Sequence, residues 1–80
     1  MDYNEEKVDE VVLALLCLTM FSDPGGTRAW KGHAWEVLDR LHDKGYISDP
    51  RSKTKSVVMT EEGVQRAQDL FAAYFAPVNR

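Results

Sequence analysis

Cysteine is nearly missing from this 80-residue chain. Cys17 stands alone, so no disulfide can close within the chain, and a reducing cytoplasm suits it. Among leucines on a helix it behaves as a small hydrophobe rather than a reactive thiol. Histidine is scarce too. Read as lying on one helix, His33 and His42 point about half a turn apart at ~100° per residue, which excludes a shared metal. His42, at the edge of an apolar stripe, reads as packing. No basic, apolar leader opens the sequence: MDYNEEKVDE is acidic, which speaks against secretory export. The apolar run Val11 to Phe21 is interrupted by Thr19 and falls short of the about 20 residues a bilayer span needs, so no membrane role is expected. The Lys-Ser/Thr of a phosphate-binding loop does not follow Gly25-Gly26-Thr27-Arg28, which reads as a connector. No nucleophile–base pair, metal cluster or cofactor loop can be assembled, so the expectation is a protein without catalytic, metal or cofactor chemistry.

What remains is ordinary globular composition, 44% hydrophobic and 29% charged. The length suits one domain, 1–80, near the size at which a single core becomes marginal and a partner surface becomes useful. The net charge of −3 is unevenly spread. Residues 1–10 carry five acids and one lysine, whereas residues 49–55 set Arg51, Lys53 and Lys55 against Asp49. Positive charge therefore concentrates at one loop.

In order, Asn4 is placed to cap a first helix, with Glu5 and Glu6 at its positive end, and that helix is expected to run to about Met20. Val8, Val11, Val12, Leu15, Leu16 and Thr19 form a stripe, and Leu13, Cys17, Leu18, Met20 and Phe21 widen it almost all round. A helix so apolar needs cover on nearly every face. Leu13, Cys17 and Met20, with Phe71 and Phe75 from the last helix, are accordingly the candidate interface of a homodimer. Ser22-Asp23-Pro24-Gly25-Gly26 breaks the chain, and Ala29-Trp30-Lys31-Gly32 offers a short strand. A second helix spans about His33 to Lys44 with Ala34, Val37, Leu38 and Leu41 inward, stopped by Gly45. Tyr46 to Ser48 and Lys55 to Met59 read as a hairpin around the Asp49-Pro50-Arg51-Ser52 turn. Thr60 caps a third helix that buries Val64, Ala67, Phe71 and Tyr74 until Pro77, with Gly63 placed for close packing. The fold class is α+β, mostly helical: helix, short strand, helix, hairpin wing, helix.

The stretch VLDRLHDKGYISD…KSVVMTEEG resembles the winged-helix regulators of the MarR and PadR kind. Leu41, Gly45, Tyr46, Ile47, Met59, Thr60 and Gly63 stand at the positions of their helix stop, return strand and Thr-x-x-Gly helix start. The match covers about 30 residues and implies a truncated winged-helix-like domain. Over its full length the chain also resembles a family of short, uncharacterised bacterial proteins sharing RAWKG…W…LDRLH-KGYISDP, a likeness that implies no activity. It departs from the regulators between the first two helices, where Ser22 to Gly32 leaves no room for the support helix of a helix-turn-helix. The helix in the recognition position carries Glu36, Asp39 and Asp43, which would repel phosphates.

Two functions follow as expectations. The first is a small homodimeric interaction module that binds a protein partner, with Trp30, Lys31 and Arg40 as the candidate surface. Trp35 is expected to fill the core, where large rings supply much of the burial. The alternative is a DNA-binding regulator touching phosphates through a wing of Arg51, Lys53 and Lys55.

Overall fold

The computed structural model describes residues 2–77. Three helices and a three-stranded antiparallel sheet share one core: α1 (Glu5–Leu16), β1 (Met20–Asp23), β2 (Gly26–Trp30), α2 (Trp35–Asp43), β3 (Ser56–Val58) and α3 (Glu61–Phe75). The protein is thus α+β, as expected, with three strands placed differently: β1 comes from the run read as the end of the first helix, and the first arm of the wing is not a strand.

Local chemistry sets each boundary. The Asn4 side chain accepts the Lys7 N–H at 3.0 Å, capping α1. The helix stops well before Met20: Cys17–Thr19 tighten into a 3-10 turn and the Thr19 hydroxyl donates to the Leu16 carbonyl at 3.2 Å. Met20 is then extended and pairs with Ala29 across β1 and β2. Asp23 holds the hairpin turn by accepting the Gly25 N–H at 2.8 Å, an Asx turn. The breaker read in the sequence is therefore a tight hairpin, and it stands where a helix-turn-helix would place its support helix.

Two glycines are conformational necessities. Gly45 takes φ +83 and closes α2, its N–H donating to His42 while Tyr46 donates back to Leu41. At Gly63 a Cβ would lie 1.9 Å from the Tyr46 carbonyl oxygen, so any side chain there would push α3 off the segment that precedes the loop. Thr60 ties the same corner, accepting from the Gly63 N–H and donating to the Gly45 carbonyl.

The expected hairpin wing is reduced to a single bridge between Ile47 and Met59. The Ser48 hydroxyl accepts the Val58 N–H, taking the place of the backbone carbonyl that would continue a ladder. The main partner of β3 is β2, in the register Arg28–Val58, Ala29–Val57 and Trp30–Ser56. From α2 onward the chain runs helix, single bridge, loop, strand and helix.

Leucine and valine, not aromatic rings, fill the core: Leu13, Leu16, Leu38, Leu41, Ile47 and Val57 are all enclosed. The second helix buries Val37, Leu38 and Leu41 of its stripe, whereas the third buries Ala67 of its stripe with Leu70 beside it, and Val64, Phe71 and Tyr74 are half-buried. Ala34 is exposed, and His33 precedes the helix rather than belonging to it. The first helix is rotated from its expected stripe. Its enclosed residues are Asp9, Leu13, Ala14 and Leu16, whereas Val8, Val11, Val12 and Leu15 are half-buried.

That rotation bears on the candidate dimer interface. Leu13 is 1% exposed inside the single chain and has no surface to offer a second copy. Cys17, Met20 and Phe71 are half-buried against the chain's own core. Phe75 is the exposed member, on the last turn of α3 with its ring 5.3 Å from that of Phe71.

Candidate binding face

Two charged clusters dominate the described surface, and only one has groups to spare. The first centres on Asp9, an acid buried to 1% exposure between α1 and α2. Arg40 grips it from Nε at 2.9 Å to both carboxylate oxygens and from Nη2 at 2.8 Å, and Lys44 Nζ adds a third donor at 3.1 Å. Burial alone would push this carboxyl up, but the bonds from Arg40 and Lys44 outweigh it and hold it below the ordinary aspartate range. Arg40 is in turn held more firmly charged, chiefly by Asp9. The Tyr3 hydroxyl accepts from Arg40 at 3.1 Å, and Glu5 lies 3.4 Å from the same guanidinium. Arg40, expected on an interaction surface, is instead a bolt between α1 and α2. A cavity of about 170 Å³ opens beside it, and its cations are paired as well, Lys44 to Asp9 and Arg66 to Glu10.

The second cluster lies where β2 runs into α2, opposite the loop 48–55. Lys31 reaches across and donates to the Pro50 and Ser52 carbonyls, both at 2.7 Å. Its own N–H donates to the Lys55 carbonyl at 3.1 Å, prolonging the β2–β3 pairing into the loop. Pro50 is enclosed, Asp49 accepts the Arg51 N–H at 2.9 Å, and Thr54 donates to the Ser56 carbonyl at 2.8 Å. Arg28 clamps the other side through the Ser56 hydroxyl at 2.8 Å. An eight-residue loop of polar residues is thereby held in one shape.

On this frame stand the aromatic residues. Trp30 is 53% exposed and Trp35 48%, so Trp35 does not fill the core. The aliphatic interior leaves no room for it, and its position at the first turn of α2 turns it toward the loop. The Arg51 guanidinium lies 4.8 Å from its ring centre and the Lys31 amine 5.8 Å. Trp30 rests on Phe21 of the neighbouring strand, ring centres 5.2 Å apart. Together Trp30, Lys31, Gly32, Trp35 and residues 52–55 line an open groove of about 480 Å³.

The expected wing cations separate here. Arg51 is engaged, donating to Asp39 at 2.8 and 3.3 Å, and the bond holds the Asp39 carboxyl below its usual range. Lys53 and Lys55 are exposed, and neither is paired with an acid among the described residues. The loop also brings Trp35 beside Arg51, a pairing that no spacing in the sequence reveals. Asp9 went unnoticed in the sequence as well, although it precedes Leu13 and Leu16 by four and seven residues, on their side of the helix.

His42 Nδ1 lies 2.9 Å from the Ile47 carbonyl, which can only accept, so that nitrogen donates in a structural bond. Burial holds the His33 imidazole below its ordinary value, favouring the neutral form. Among the described residues no cluster of His, Cys, Asp or Glu is arranged to hold a metal, and no helix is long and apolar enough to cross a membrane.

Comparison with known proteins places the sequence in a family. A family described as a domain of unknown function, DUF6429, matches residues 4–77. The chain belongs to the DUF6429 family. The match spans both the Asp9 centre and the groove. The chain is also similar to a protein of Sinorhizobium fredii, "Uncharacterized protein y4hR", with 47% identity over 75 residues, 94% of this chain and 97% of that protein. No solved structure matches it.

Proposed function

We propose that this DUF6429 protein is a non-catalytic, cytoplasmic interaction module that binds a protein partner through the Trp30–Trp35 groove. One observation carries the reading: two half-exposed tryptophans flank a pinned loop bearing unpaired lysines. Aromatic residues dominate binding hot spots, and a loop already held in shape loses little freedom on binding. Homodimerisation belongs to the same proposal, now through the exposed Phe75 beside Phe71 on α3 rather than through the buried Leu13.

The test is a selection of displayed random peptides on the immobilised full chain. Peptides enriched on the wild type and lost on Trp30→Ala or Trp35→Ala support the groove as a binding face. A selection that enriches nothing, or nothing sensitive to those substitutions, contradicts it.

A second reading, a regulator touching DNA through its wing, is favoured by the exposed, unpaired Lys53 and Lys55 and by the MarR/PadR-like order of α2, loop and α3. The acids Glu36, Asp39 and Asp43 on α2 oppose it. Duplex DNA that raises fluorescence anisotropy at low salt and loses its effect steeply as salt rises would support this reading. Absence of binding at low salt would remove it.

A further inference from the structure

We infer that the segment held in the groove is acidic and carries a bulky apolar side chain, which enters between Trp30 and Trp35 while its carboxylates meet Lys53 and Lys55. This deepens the protein-binding reading and rests on it.

Charge complementarity supplies the first argument. The chain is net acidic, and its N-terminal ten residues hold five acids. Arg28, Arg40, Lys44, Arg51 and Arg66 each lie within salt-bridge distance of an acid. Lys31 is occupied by two carbonyls. Among the described residues Lys53 and Lys55 thus stand at the groove with no acid in salt-bridge distance, Lys7 of α1 being bonded to the Tyr74 hydroxyl, and the net-acidic chain disfavours an anionic segment over much of its remaining surface.

The rings supply the second. Trp35 already has Arg51 and Lys31 over its ring, and Trp30 leans on Phe21. Part of each stacking surface is therefore used within the chain. A nucleic-acid strand needs open ring faces for its bases and continuous positive charge for its backbone. Here Asp39 is bonded to Arg51, and Glu36 is close enough to that guanidinium to favour its charge. A polyphosphate crossing the groove would meet those acids, whereas a peptide can set its carboxylates against the lysines alone.

The experiment is fluorescence anisotropy with the full chain and four labelled probes: a short peptide alternating Glu and Phe, its Gln-for-Glu and Lys-for-Glu counterparts, and oligothymidine. The Glu/Phe peptide should bind about threefold to thirtyfold tighter than the Gln version, as two exposed ion pairs allow. Its affinity should fall with salt. Lys53→Gln combined with Lys55→Gln should erase the difference between the two peptides, with an unchanged near-ultraviolet circular dichroism spectrum showing that the fold survives. Equal binding of the Gln peptide, or preference for the Lys peptide, would overturn the acidic segment while leaving the groove as a binding face. Tighter binding of oligothymidine would overturn it in favour of single-stranded nucleic acid. Binding of none of the four would overturn it too, and the peptide selection decides separately whether the groove binds anything.

Discussion

The Asp9 centre and the Trp35 groove are made from the same parts, an aromatic ring, a guanidinium, a lysine and an acid, and they end in opposite states. At Asp9 the acid is buried, and Arg40 and Lys44 converge on it, with Tyr3 closing the outer side of the guanidinium. At the groove the acid, Asp39, is exposed, satisfies Arg51 alone, and leaves Lys53 and Lys55 with no acidic partner among the described residues. A buried carboxylate has to be paired, because the water it gave up must be replaced by donors. Exposed cations have no such requirement. The first cluster is therefore consumed in joining α1 to α2, and the second is available for something outside the chain.

That contrast can be broken most forcefully at Asp9. Asp9→Ala leaves Arg40 and Lys44 facing each other across a void and should cost about 3 kcal/mol in urea unfolding. Peptide affinity of the folded fraction should not change. Acid sharpens the same point. The Asp9 carboxyl titrates lower in the folded chain than in the unfolded one, so its stabilisation is complete above the ordinary aspartate range and is lost as pH falls through the folded value. The stability gap between wild type and Asp9→Asn, followed by urea titration at stepped pH, should therefore close in acid and not in alkali.

At the groove the order of effects reverses. Trp35→Ala removes a half-exposed ring and should lower stability by about 1 kcal/mol while abolishing peptide binding. Lys53→Glu with Lys55→Glu should move stability by no more than about 0.5 kcal/mol and still eliminate the acidic peptide. Smallest in its effect on the monomer is Phe75→Asp, at an exposed position on the last turn of α3. Sedimentation equilibrium should show it shifting dimer to monomer with groove binding intact.

How far the sequence foretold this molecule depends on whether the signal was local. Caps and stops are local chemistry, and Asn4, Gly45 and Thr60 act as their residue types suggest. The face of α2 was legible because its charged residues leave one apolar stripe. The face of α1 was not: apolar residues surround it, so periodicity could not choose between the Val8–Leu15 side and the Asp9–Leu16 side. Strand β1 hid inside the same apolar run, since Met20 and Phe21 suit a helix or a strand equally. Only their pairing with Ala29 and Arg28, a tertiary fact, decides it. The basic loop was legible as a place, and its residues 52–55 do line the groove. Which of its cations stay free was not, because Asp39, twelve residues before Arg51, takes that one. Trp35 misled for a related reason: a small core was expected to need large rings, and aliphatic side chains filled it instead.

The most direct test of this division is to measure unfolding free energy and affinity for the Glu/Phe peptide side by side in Asp9→Asn and in Lys53→Glu/Lys55→Glu. The two variants should cross, the first losing stability and keeping affinity, the second keeping stability and losing affinity. If the lysine variant binds the peptide as the wild type does, or if Asp9→Asn loses affinity in proportion to stability, the separation of a structural centre from a binding face is wrong.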